Sequence, residues 1–155
     1  MRRILWIALC LAGTVNAAPR WDEQQQQIVH AMQQLADASD YKSASIDDYA
    51  SQLCDDFTRW TIGSQAVSDK DGWVEGVSIW IARGWSVAAR TAEILDIEVN
   101  GEFAFSRRIV TEAYIGPNQQ SAMSTSALAE TWHKDSSGWK LHRLSVHPLP
   151  TPAVK

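Results

Sequence analysis

Cysteine is scarce: the chain of 155 residues has two, Cys10 and Cys54. Cys10 falls in an apolar run near the N-terminus, so once that run is removed Cys54 has no intramolecular partner and a disulfide scaffold is excluded. No His-x-His, His-Glu-x-x-His or Cys-x-x-Cys spacing occurs, so no metal and no organic cofactor is expected. Gly72, Gly76 and Gly84 are too scattered for a phosphate-cradling loop, and no Gly-x-Ser-x-Gly nucleophile elbow is present. Basic residues number 14 against 18 acidic ones and form no cluster. Nucleic acid is therefore not an expected partner, since affinity for it comes largely from phosphate neutralisation. No apolar stretch reaches the ~20 residues that span a bilayer as a helix.

What is present begins with Met1-Arg2-Arg3, the apolar run Ile4 to Val15, and small residues at Val15 and Ala17. That is the three-part pattern of a secretory signal peptide, residues 1–17, with cleavage before Ala18. Leu9 is bulky where a lipoprotein signal has a small residue before its cysteine. The expected location is secreted or periplasmic, with no membrane attachment after cleavage. Residues 18–147 are long enough for one domain with a real core, and Pro148 to Pro152 reads as part of an extended tail, 148–155.

Trp21, Ile28, Val29, Met32 and Leu35 recur at helical spacing and predict a helix from Trp21 to Ala36. Ser45 and Asp48 form a capping-box pattern ahead of a short helix, Ile46 to Leu53, and Phe57–Ile62 reads as a strand. A third helix, Gly72 to Ala82, has Ser68 and Asp71 as its expected capping box and Trp73, Val77, Trp80 and Ile81 as its apolar stripe. Cys54, among Tyr49, Leu53 and Phe57, reads as an inert buried thiol. From residue 87 the pattern is β. Leu95, Ile97 and Val99 alternate with Asp96 and Glu98, and Arg90 is placed on the same side as the charged pair. Asn100-Gly101 is a hairpin turn, Gly116-Pro117-Asn118 breaks the next strand, and Ser124–Lys134 with Trp139–His147 makes a second hairpin. Helices early and long antiparallel strands late predict an α+β domain.

This order, with Thr131-Trp132-His133-Lys134-Asp135-Ser136-Ser137-Gly138-Trp139-Lys140-Leu141-His142 and the Asp55-Asp56-Phe57 end of the second helical segment, resembles the nuclear transport factor 2-like superfamily. SnoaL-like domains and ketosteroid isomerase belong to it. The resemblance covers essentially the whole mature domain. It implies a cone: a strongly curved antiparallel sheet wrapped around three N-terminal helices, with one open pocket, often dimeric through the outer face of the sheet. The isomerase's catalytic Asp and its Tyr/Asp oxyanion set have no recognisable counterparts here, so the resemblance leaves activity open.

Strand alternation selects pocket candidates. If Trp139 and Leu141 face inward, so do Arg143, Ser145 and His147. The resemblance places Glu130 and Trp132 on the same concave face, and Trp60 and Trp80 are expected beside them. A one-residue bulge would reverse this phase and bring Lys140, His142 and Leu144 inside. Glu130, Arg143 and His147 together would hold an anion or move a proton; alternatively, Glu130 and Arg143 form a structural ion pair. Three functions are open: a binding domain for a small, partly apolar ligand, a cofactor-independent acid–base enzyme using a carboxylate and His147, or an assembly domain acting through its sheet surface. A homodimer is expected, because the outer face mixes charged residues with Ile, Leu and Val.

Overall fold

The computed structural model describes residues 21–40 and 45–150. The signal-peptide reading and residues 151–155 of the expected tail lie outside the described residues.

Asp22 starts the first helix, α1 (Glu23–Ala38), through a capping box. Its carboxylate accepts the Gln25 N–H at 2.8 Å, and the Gln25 side-chain oxygen accepts the Asp22 N–H at 3.0 Å. Ile28, Ala31, Met32 and Leu35 are buried along one face, the stripe that the periodicity predicts. Gln25 also donates through Nε2 to the Ile97 carbonyl at 2.8 Å, tying the helix to the sheet. The Ser45–Asp48 capping box opens α2 (Ile46–Ser51) as read from the sequence. The hydrogen bonds from Ser45 hold the Asp48 carboxyl below its usual range.

α2 runs almost directly into β1 (Leu53–Thr61), and an unanticipated short strand, β2 (Val67–Asp69), pairs back on it. This corrects the expected cap of the third helix, α3 (Lys70–Ala82). Ser68 is still in the strand, opposite Arg59, and Asp69 is the cap, accepting the Gly72 N–H at 2.9 Å. No residue of α3 is fully buried. Its Trp73, Val77 and Trp80 instead look into a cavity.

The four long strands are β3 (Ser86–Asn100), β4 (Phe103–Ile115), β5 (Ser121–Asp135) and β6 (Gly138–Leu149). The Asn100-Gly101 turn forms where expected, with Gly101 at a φ of +60° that L side chains rarely adopt. β6 runs on past His147, with Pro148 opposite Ser126 and Leu149 opposite Thr125. The six strands are ordered β2-β1-β6-β5-β4-β3. All neighbours are antiparallel except β1 and β6, which run parallel. The sheet is therefore mixed rather than purely antiparallel. The parallel pair is possible because nearly the whole domain separates the two strands, far more chain than a crossover needs.

Of the register irregularities in the sheet, two decide where the residues selected from the sequence face. In β3 the register slips between Ile94 and Asp96, so Leu95 is an extra residue and is 52 % exposed, while Ile94 and Ile97 pack on the core. In β6 the register slips between Leu141 and Arg143, leaving His142 as the extra residue. Each bulge reverses the inward phase of the strand beyond it.

The core gathers Ile28, Met32, Leu35, Leu53, Phe57, Ile97, Trp132 and Leu141, all nearly inaccessible to solvent. Burying each large apolar side chain contributes roughly 1.5–3 kcal/mol. These residues fill the space between α1 and the middle of the sheet. The fold is α+β, with the sheet curving around the helices and one end left open.

Candidate functional site

The open end holds a cavity of about 810 Å³. α3 supplies Trp73, Val77 and Trp80; β4 supplies Arg108, Val110, Glu112 and Tyr114; β5 supplies Ser124, Ser126, Leu128 and Glu130; and β6 supplies Leu144 and Val146. Arg59 and Thr61 enter from β1 and Arg90 from β3. The volume lies in the range of small-molecule sites, which pair apolar walls with a few convergent polar groups.

The polar groups form three sets. The deepest is built on Glu130, which is 1 % exposed. Its Oε1 accepts from Arg108 Nη2 at 2.7 Å and Nε at 3.1 Å, and its Oε2 accepts from Ser106 Oγ at 3.0 Å. Trp132 Nε1 in turn donates to Ser106 Oγ at 2.9 Å. This network is fully paired, as a buried carboxylate requires.

The second set lies nearer the rim. Arg90 pairs with Glu112 Oε1 at 2.6 Å and donates through Nη1 to the Ala36 carbonyl at 3.1 Å. Tyr114 donates its hydroxyl to Glu112 Oε2 at 2.6 Å and lies 2.9 Å from Ser124 Oγ. Burial and the hydrogen bond to Glu112 push the Tyr114 phenol up to about 12. Trp80 meets the Tyr114 ring edge-on at 5.7 Å and stacks with Trp85 at 6.3 Å.

The third set is Arg59. Its guanidinium lies 4.2 Å from the centre of the Trp73 ring, and Nη1 donates to Thr61 Oγ1 at 2.8 Å. Trp73 Nε1 donates to the Tyr49 hydroxyl at 2.9 Å. Burial raises the Tyr49 phenol above its ordinary value.

No family model matches this sequence, and no curated protein is similar to it at a significant level. Solved structures are similar over most of the chain. A ketosteroid isomerase-like protein from Erwinia carotovora atroseptica aligns at 16 % identity with a TM-score of 0.66, covering 84 % of this chain and 100 % of its own. An NTF2-like protein from Cytophaga hutchinsonii aligns at 13 % identity and a TM-score of 0.68, covering 83 % and 100 %. A conserved protein from Planctomyces limnophilus aligns at 15 % identity and 0.71, covering 83 % and 98 %. The chain has the NTF2-like fold. At these identities the likeness is one of fold, and many functions share this fold.

Within the NTF2-like cone the expected site residues separate. Trp80 and Glu130 line the cavity. Trp132 is buried on the inward side, tied into the Glu130 network through Ser106. Arg143, Ser145 and His147 do not line it. The bulge at His142 turns them outward and brings Leu144 and Val146 in, so the two phases weighed from the sequence each hold for half of β6. Arg143 instead reaches Asp56, donating through Nη1 to its carbonyl and lying 3.4 Å from its carboxylate. His142 Nε2 is 3.1 Å from the same carboxylate, and that hydrogen bond lowers the Asp56 pKa. The partner of Glu130 is thus Arg108, not Arg143. His147 is exposed. Trp60 is 39 % exposed and donates to the Ser64 carbonyl at 3.0 Å, on the face of β1 opposite Arg59 and Thr61.

Arg59, Arg90, Arg108, Glu112 and Tyr114 were not selected from the sequence as pocket residues. Arg90 was hidden by the Leu95 bulge. For the β4 residues the strand alternation itself, Arg108-Val110-Glu112-Tyr114, was the available signal. Cys54 is buried, and burial raises its thiol pKa, consistent with an inert role. Among the described residues no cluster of His, Cys, Asp or Glu could hold a metal ion, and no helix is long and apolar enough to cross a membrane.

Proposed function

We propose that the protein is an exported binding domain whose cone holds a small, partly apolar ligand. The observation that carries this reading is the composition of the cavity. Trp73, Val77, Trp80, Val110, Leu128, Leu144 and Val146 supply apolar wall, while Arg59, Glu112, Tyr114 and Ser124 supply fixed polar groups. The export half of the proposal rests on residues 1–17. A thermal-shift screen of small organic molecules tests the binding half, because a ligand that binds only the folded state raises Tm. Hits are expected with the native chain and are expected to vanish in Leu128→Trp, which fills the cavity from one wall. Hits that persist at full size in that variant would place binding elsewhere.

A second reading, a cofactor-independent acid–base enzyme, is favoured by one observation: the Tyr114–Glu112 hydrogen bond beside Ser124 puts a carboxylate and a phenol on the cavity wall. His147 has no part in it, since it does not line the cavity. We further propose a homodimer through the outer face of the sheet, where Leu95, Phe103 and Phe105 are exposed. Light scattering at micromolar concentration is expected to give twice the monomer mass, and Phe105→Glu is expected to give the monomer.

A further inference from the structure

We infer that the cavity takes a monoanion, a carboxylate carried on a compact apolar body, and that Arg59 is its anchor. This rests on the reading of the cavity as a binding site and names the class of ligand.

Five ionisable side chains of the acid and guanidinium types line the cavity: Arg59, Arg90, Arg108, Glu112 and Glu130. Arg108 is neutralised by Glu130 and Arg90 by Glu112. Among the described residues no carboxylate pairs with Arg59. The two phenols near it do not stand in for one, because burial raises the pKa of both Tyr49 and Tyr114 and keeps them neutral at physiological pH. A guanidinium does not shed its proton in a protein. Among the described residues Arg59 is therefore a half-buried cation without a counterion, a condition that a bound anion relieves.

The geometry prepares it for that role. Stacking on Trp73 and the hydrogen bond to Thr61 fix the plane of the guanidinium. A planar fork held in this way matches a carboxylate through two parallel hydrogen bonds. Because Arg90 and Arg108 are already neutralised by Glu112 and Glu130, Arg59 is left to match one negative charge on the ligand. The rest of the wall, Val77, Trp80, Leu128, Leu144 and Val146, offers no further charge and suits an aromatic or branched aliphatic body.

Calorimetric titration of the purified chain with naphthoate and with its neutral counterpart naphthylmethanol tests this. Naphthoate is expected to bind more tightly by about tenfold or more, the ratio that charge-assisted hydrogen bonds support. In Arg59→Met, which keeps an apolar stem against Trp73, the two probes are expected to bind equally, with the circular-dichroism spectrum unchanged. Equal affinities in the native chain, or a preference that survives in Arg59→Met, overturn the assignment of Arg59 and leave the cavity reading standing. If neither probe binds, the inference is overturned, and the cavity reading falls with it only if the thermal-shift screen also returns no ligand. Should Arg59→Met not fold, the comparison in the native chain still decides: the preference for naphthoate must be present and must weaken as salt is raised, and a preference indifferent to salt counts against Arg59.

Discussion

Replacing Glu130 by Leu is the sharpest perturbation of the interior. Glu130 is 1 % exposed and Arg108 8 %. The substitution leaves the Arg108 guanidinium buried without a counterion, and a broken buried pair of this kind costs about 3–5 kcal/mol. It also removes the acceptor of the Ser106 hydroxyl, which adds ~1 kcal/mol. Set against a total stability of ~5–15 kcal/mol, the single variant is expected to be marginally folded. Adding Arg108→Met removes the orphaned charge, and an apolar pair of similar volume is often neutral or stabilising, so the double variant is expected within ~2 kcal/mol of the native chain. Urea unfolding followed by tryptophan fluorescence reads the difference: at ~2 kcal/mol per molar of urea, the single variant shifts the midpoint down by about 2–3 M. The coupling energy from the double-mutant cycle is then at least ~2 kcal/mol. A Glu130→Leu loss below ~1 kcal/mol, or a double variant as unstable as the single, would refute the claim that this network is dry and mutually dependent.

Gly116→Ala is expected to lower Tm, because a Cβ there would lie 2.8 Å from three atoms of the Trp85 ring; the clash is expected to cost ~1–3 kcal/mol by calorimetry. Hydrogen bonds from Ser137 hold the Asp135 carboxyl at about 2, below its ordinary 3.8. A depressed carboxylate contributes stability above its unfolded pKa and loses it as pH falls toward the folded value. The native chain is therefore expected to lose stability between about pH 4 and pH 2 more steeply than Asp135→Asn in urea titrations, and parallel curves would count against the turn. Intact-mass analysis of exported material is expected to show a chain beginning at or next to Ala18, and a mass that retains residues 1–17 would sink the signal-peptide reading.

The fold was legible wherever local physics decides structure. Apolar spacing marks α1, Ser45 and Asp48 mark the start of α2, and Asn100-Gly101 marks the β3–β4 hairpin. The site was less legible, because inward and outward faces depend on strand phase, and one inserted residue reverses it. Nothing in the composition around Leu95 or His142 distinguishes a bulged residue from a regular one. Two inserted residues therefore hid Arg90 and sent Arg143, Ser145 and His147 to the wrong side. Pairing was harder still. Glu130 finds Arg108 because β4 and β5 place Ser106 opposite Glu130, a long-range register that alternation within one strand does not contain. Arg59 reaches Trp73 only because the short strand β2 folds α3 back over β1.

The central claim is that the open end of the cone binds a small apolar anion. A crystal structure of the chain grown with naphthoate tests it most directly. The ring is expected between Trp80 and Leu144, with both carboxylate oxygens within hydrogen-bond distance of the Arg59 guanidinium. Naphthoate bound on the outer face of the sheet, or seated in the cavity with its carboxylate turned away from Arg59, would contradict it.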